Sequence, residues 1–208
     1  MTALIAETVK LIALHAEWTF PVMFLIAFGE SFVFLSLLFP GTAIMIAAGL
    51  LVPNGTIPLV PLLCGAISGA VVGDGISWWL GRRYGHHLTA RWPFTSHPQL
   101  LAGGENLFRR LGTASVFIGR FLGPFRATIP LVAGIMKMRA GPFWFANIAS
   151  ALIWAPALLL PGSLVLWVAE ASHLSKDWKI IIGAGVLLII AALVWMVRKF
   201  ELFWLRSD

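Results

Sequence analysis

Four charged side chains, Glu30, Asp74, Arg120 and Arg126, stand inside runs of sequence otherwise apolar enough for the interior of a bilayer. A charge near the bilayer centre costs roughly 2.5–3.5 kcal/mol on insertion scales. Each of the four must therefore find a partner or face water. The first half of the chain supplies both acids and the second half both bases, so pairing among them would lock the halves together.

The rest of the composition agrees with a bilayer setting. Of 208 residues, 59% are hydrophobic and 12% charged, and the mean hydropathy is +0.89. These values exclude an ordinary soluble domain and predict an all-α integral membrane protein. The net charge of +6 does not point to nucleic acid, because too few polar residues accompany it; cytoplasmic loops and anionic lipid explain it better. The single cysteine, Cys64, rules out a disulfide framework and a Cys-based metal site. The first residues lack a basic region and a small-residue cleavage pattern, so no cleaved signal peptide is expected.

Breaks in the apolar runs divide the chain, which reads as a single membrane domain over 1–208. Residues 1–17 alternate apolar residues with Glu7, Lys10 and His15, as an interfacial helix does. Residues 18–52 are apolar but interrupted at Pro40-Gly41, and the arm after the break is too short to cross. Such a pair of arms predicts a re-entrant hairpin. Residues 58–80 form a full span in which Gly65, Gly69 and Gly73 share one face and permit a close helix crossing. Residues 82–113 form a polar loop carrying Arg82, Arg83, Arg91, Arg109 and Arg110 against Glu105 alone, hence cytoplasmic, with an amphipathic helix over Gln99 to Leu111. A second broken hairpin is expected over 114–137, with Gly123-Pro124 and Pro130 as breaks, then spans over 143–168 and 180–197. Pro156 and Pro161 are expected kinks in the first of these spans. Arg198-Lys199 places the C-terminus on the cytoplasmic side.

The halves follow one plan of amphipathic helix, broken hairpin and span. Ala48-Gly49 in the first hairpin matches Ala133-Gly134 in the second. The charge bias puts the hairpins on opposite sides. This predicts an inverted repeat, in which paired interrupted segments mark a binding site near the midplane.

Two readings of the four buried charges stand side by side. In one, Glu30 and Asp74 form structural ion pairs with the arginines. In the other, Arg120 and Arg126 meet an anionic ligand while the acids balance or switch them. Two guanidiniums suit phosphate, because their planar forks match its oxygens and stay charged. Asn147 could bond the hairpin turn or a ligand. His86, His87 and His97 share a loop without partner acids at ligand spacing, so no metal and no cofactor are expected. No hydrolase constellation is present, and the chain is not expected to be an enzyme.

At these residues the chain resembles the DedA family, also called the SNARE-associated or VTT-domain membrane proteins. The matching pieces are Glu30 before Phe39-Pro40-Gly41, Gly69 and Gly73-Asp74 leading to Gly81-Arg82 and Gly85, and the run from Phe117 through Arg120, Phe121, Pro124, Arg126 and Pro130 to Ala133-Gly134. Phe143, Asn147 and Trp154 close the match. The resemblance implies two opposed re-entrant hairpins, which the spans read above complete with about three full transmembrane helices. It also implies lipid transport: a flippase for a polyprenyl phosphate such as undecaprenyl phosphate across the bacterial inner membrane, with proton coupling. Arg120 and Arg126 would bind the phosphate, and Glu30 and Asp74 would balance charge or carry the proton. The implied partners are this anionic lipid, the surrounding membrane lipids and other copies of the chain, with no nucleic acid. The alternatives are a proton- or cation-coupled transporter of small solutes and a phospholipid scramblase. One departure stands out: relatives often carry Asp or Glu after the Pro-Gly of the first hairpin, and this chain has Thr42.

Overall fold

A computed structural model describes residues 16–36, 41–52, 55–85, 87, 95, 98–122 and 125–170. Apart from a 3-10 turn at Ala16–Trp18, the expected interfacial helix over 1–17 lies outside these residues, as do the expected span over 180–197, Pro40 and Gly123-Pro124. Seven α-helices and no strand occur among the described residues: α1 (Thr19–Ser31), α2 (Gly41–Gly49), α3 (Leu59–Tyr84), α4 (Pro98–Leu111), α5 (Thr113–Gly119), α6 (Thr128–Ile135) and α7 (Ala140–Glu170). Two stretches, Leu59–Tyr84 and Ala140–Leu160, are long and apolar enough to cross a membrane.

The two long helices run antiparallel. Asn147 of α7 donates to the Val71 carbonyl of α3 at 3.0 Å. One turn on, Gly75 faces the Trp144 ring, and Trp78 stacks on Phe143 with centroids 4.9 Å apart. Rising numbers on α3 thus meet falling numbers on α7.

The first helix, α1, packs along α3 as the glycine face of α3 predicts. A Cβ at Gly65 would come within 2.7 Å of the Phe20 carbonyl oxygen, and one at Gly73 within 2.8 Å of that of Phe28. Gly69 sits still closer to the Phe24 carbonyl. Only glycine lets two helix backbones approach this far. These contacts also make α1 parallel to α3. The break after α1 comes earlier than the Pro40-Gly41 signal predicts, since the helix stops at Ser31. Its physical cause is lateral: the Val33 N–H bonds to the Ser77 hydroxyl of α3 at 3.2 Å instead of continuing the helix. The following helix, α2, ends at Gly49 against the Leu159 carbonyl of α7, where an added Cβ would lie 2.5 Å away. Leu159 shares one core with Leu62 and Ala66 near the start of α3. The chain thus travels out along α3 and comes back.

The second pair packs against the other end of α3. Leu131 and Gly134 of α6 meet Gly81 and Trp78, and a second core gathers Trp78, Phe125, Ile129, Ala133 and Phe143. Pro130 does not break this segment. It lies in the first turn of α6, where its missing N–H has no intrahelical acceptor anyway. Lys137, with φ 57°, closes the helix. Its N–H and that of Met138 return to the Gly134 and Ala133 carbonyls, at 2.9 Å each, in a Schellman turn. α7 continues as helix through Pro156 and Pro161 to Glu170. The expected amphipathic helix is α4, which buries Leu100, Gly104 and Leu107 and lays Gly103 and Gly104 on Phe125, Thr128 and Val132 of the second pair.

Each pair therefore uses a glycine to lean on the long helix of the opposite half: Gly49 on α7, and Gly134 on the Trp78 carbonyl of α3.

Candidate functional site

The four charges of the apolar runs converge in two crossed ion pairs. Glu30 lies in the last turn of α1, Asp74 midway along α3, Arg120 directly after α5, and Arg126 in the turn leading into α6. Arg126 donates from Nη1 to Glu30 Oε1 at 2.9 Å. Arg120 pairs through Nη2 with Asp74 Oδ2. Both pairs join an acid of the first half to a base of the second, and all four residues are buried.

The pairs differ in how firmly they are held. Arg120 is locked on several sides. Its Nη2 also donates to Asn147 Oδ1, and its Nε donates to the Ser150 hydroxyl at 2.9 Å. Ser150 in turn donates to the Asn147 carbonyl at 3.0 Å, while the Asn147 amide is anchored on Val71. Asn147 thus bonds the arginine and the neighbouring long helix. The side chains of this pair are 1% and 4% exposed, against 9% and 10% for Arg126 and Glu30. The Arg126–Glu30 pair is the one nearer the surface.

Glu30 is held by close neighbours on the first helix pair as well as by Arg126. Thr42, at the start of α2, donates its hydroxyl to Glu30 Oε1. The residue that follows the expected break is therefore a hydroxyl donor to Glu30 and not a second acid. Gly41 makes this possible: a Cβ there would lie 2.6 Å from Glu30 Oε2. Ser31 accepts from Arg126 Nη2 at 3.1 Å.

Among the described residues, four buried atoms of this cluster meet no hydrogen-bond partner: Glu30 Oε2, Asp74 Oδ1, Arg120 Nη1 and Arg126 Nε. Two are donors and two are acceptors. Buried polar groups are rarely left unpaired, and these four are the exceptions within the cluster.

Sequence reasoning misses two participants, Ser31 and Ser150, and gives Trp154 a place in the family match but no role at the site. Trp154 lies against both arginines, its ring centre 3.9 Å from Cζ of Arg126 and 5.9 Å from Cζ of Arg120. A signal was present: Asn147, Ser150 and Trp154 fall at i, i+3 and i+7, one stripe of a helix.

Comparison with known proteins finds relatives of this sequence. The model of the VTT domain matches residues 39–164. The inner membrane protein YabI of Escherichia coli (strain K12) is 36% identical over 141 residues, which cover 67% of this chain and 55% of YabI. An uncharacterized membrane protein of Buchnera aphidicola subsp. Schizaphis graminum is 27% identical over 172 residues, 82% of this chain and 67% of that protein. One from Mycobacterium tuberculosis (strain ATCC 25618 / H37Rv) is 35% identical over 122 residues, 56% of each chain. The chain thus spans little more than half the length of YabI. No solved structure matches significantly.

Proposed function

The chain belongs to the VTT-domain (DedA) family of membrane proteins, and on that premise we propose that it moves an anionic lipid across the bacterial inner membrane, a polyprenyl phosphate such as undecaprenyl phosphate. The observation that carries this reading is a pair of buried arginines with unspent donors, each countered by a carboxylate from the other half. Two helix pairs that lean on opposite long helices through Gly49 and Gly134 support opposed re-entrant hairpins in an inverted repeat, with the site between them. The phosphate enters at Arg126, where the ion pair is least enclosed, and its oxygens take the edge of the guanidinium now facing Glu30 and Ser31. Arg120 completes the clamp through Nη1. Glu30 then needs another partner, and a proton supplies one, which couples lipid movement to proton movement. Thr42 steadies the Glu30 carboxylate, Asp74 and Asn147 aim Arg120, and the apolar tail stays in the lipid. The basic loop over 82–113 and the C-terminus lie on the cytoplasmic side.

Purified protein in liposomes is expected to speed the access of polyprenyl phosphate to an outside reagent, and Arg126→Ala is expected to return that rate to the protein-free level. Equal rates for Arg126→Ala and the parent, with both proteins folded, would remove Arg126 from the site.

A further inference from the structure

We propose that Trp154 is the positioning residue of the site: it fixes the plane of the Arg126 guanidinium by its face, leaving the edges free to exchange one anionic oxygen for another. The proposal rests on the anionic-lipid reading above and adds a residue to which that reading gives no part.

The geometry divides the guanidinium into two kinds of surface. Its donors all point outward in the plane, while its faces carry none. In the plane, Nη1 meets Glu30 and Nη2 meets Ser31, and Nε is unpartnered among the described residues. Cζ stands 3.9 Å from the Trp154 ring centre, well inside the cation–π range and too close for an N–H to stand end-on between them, so the guanidinium meets the ring by its face. The face contact consumes no donor. A guest that displaces Glu30 therefore meets an arginine still held in orientation, although it has lost its carboxylate. Without the ring, a freed Arg126 would have to be reordered by the guest itself, and affinity would fall by that cost.

Trp154 is itself well fixed. It is 4% exposed and packs in the core with Met45, Ala48 and Ala155. It shares its helix stripe with Asn147 and Ser150, which hold Arg120. One helix therefore sets both arginines, the first by hydrogen bonds and the second by an aromatic face. The ring also lies 5.9 Å from Cζ of Arg120, so its electron-rich face lies near two like charges that would otherwise repel.

The test uses the full chain in detergent and compares the parent with Trp154→Leu and Trp154→Phe. Binding of a short polyprenyl phosphate is measured beside that of the matching uncharged polyprenol. Trp154→Leu is expected to weaken phosphate binding about tenfold and leave polyprenol binding unchanged, whereas Trp154→Phe, which keeps a ring, stays within about threefold of the parent. In a second measurement on arginine-labelled protein, the Nε–H resonance that vanishes in Arg126→Lys is expected upfield in the parent, shifted by the indole ring current. It is expected to stay partly shifted in Trp154→Phe and to reach the position of the exposed arginines in Trp154→Leu. Phosphate binding by Trp154→Leu equal to the parent's overturns the proposal. So does a fall in which phosphate and polyprenol weaken together in both variants, because that marks general packing. If Trp154→Leu fails to fold, an unshifted resonance in the parent or its full loss in Trp154→Phe overturns it. A parent that binds phosphate no better than polyprenol defeats the lipid reading, and the resonance alone then decides the role of Trp154.

Discussion

Asp74→Ala is expected to destabilise the folded protein by about 3–5 kcal/mol, the usual cost of removing one member of a buried ion pair. The cost arises because Arg120 remains behind, 3% exposed, without its carboxylate. The loss should be much smaller in Asp74→Asn, which keeps an acceptor for Nη2. Replacing both partners with apolar residues, as in Asp74→Leu with Arg120→Met, should recover most of the stability, since no charge is then stranded. Unfolding midpoints in mixed detergent micelles, read as a double-mutant cycle, measure this directly. Additive single and double effects would mean that the contact between α3 and the segment after α5 carries no coupling.

The second large effect is expected at Gly134. An alanine there would place its Cβ within 2.7 Å of the Arg82 backbone nitrogen and closer still to the Trp78 carbonyl. Backbone cannot rotate aside as a side chain can, so α6 and α3 must separate. Overpacking of this kind costs about 1–3 kcal/mol, occasionally more. The displacement also drags Arg126, which sits in the turn feeding α6. Gly134→Ala should thus lower both the thermal midpoint in detergent and lipid movement in liposomes. Gly141→Ala is the matched control, because nothing lies within 4 Å of a Cβ at that position. A Gly134→Ala protein that melts with the control would show that the two helices are not in backbone contact.

Much of this arrangement could be read from the sequence, and the reasons differ by residue. Gly65, Gly69 and Gly73 announced a close crossing because four-residue spacing is a property of one helix alone. Glu30, Asp74, Arg120 and Arg126 announced themselves because charge in an apolar run needs a partner. Which acid meets which base could not be read, since that depends on how α1, α3 and the turns around α5 and α6 cross in space. The end of α1 at Ser31 was hidden for the same reason: Ser77, 44 positions away from Val33 in sequence, takes the N–H that would have continued the helix. Trp154 could be picked out as part of the family match, but its role was hidden by its own kind. It is one of ten tryptophans, most of which are readily explained by the membrane interface, and only the fold shows that this one faces two arginines.

The crossed ion pairs also bear on how such a chain is made. The ribosome delivers Glu30 and Asp74 long before Arg120 and Arg126. For that interval the first half carries two carboxylates in apolar surroundings without the arginines they pair with, at a cost of roughly 2.5–3.5 kcal/mol each if ionised at the bilayer centre. Waiting in a protonated form, or at the membrane surface, avoids that cost. Arrival of the second half would then draw the first to its final depth. Fragments 1–112 and 113–208 should each be degraded when expressed alone and be recovered together when co-expressed, and Asp74→Asn with Glu30→Gln should let the first fragment persist by itself. Equal survival of the unaltered first fragment with and without its partner would show that the acids place no such condition on assembly.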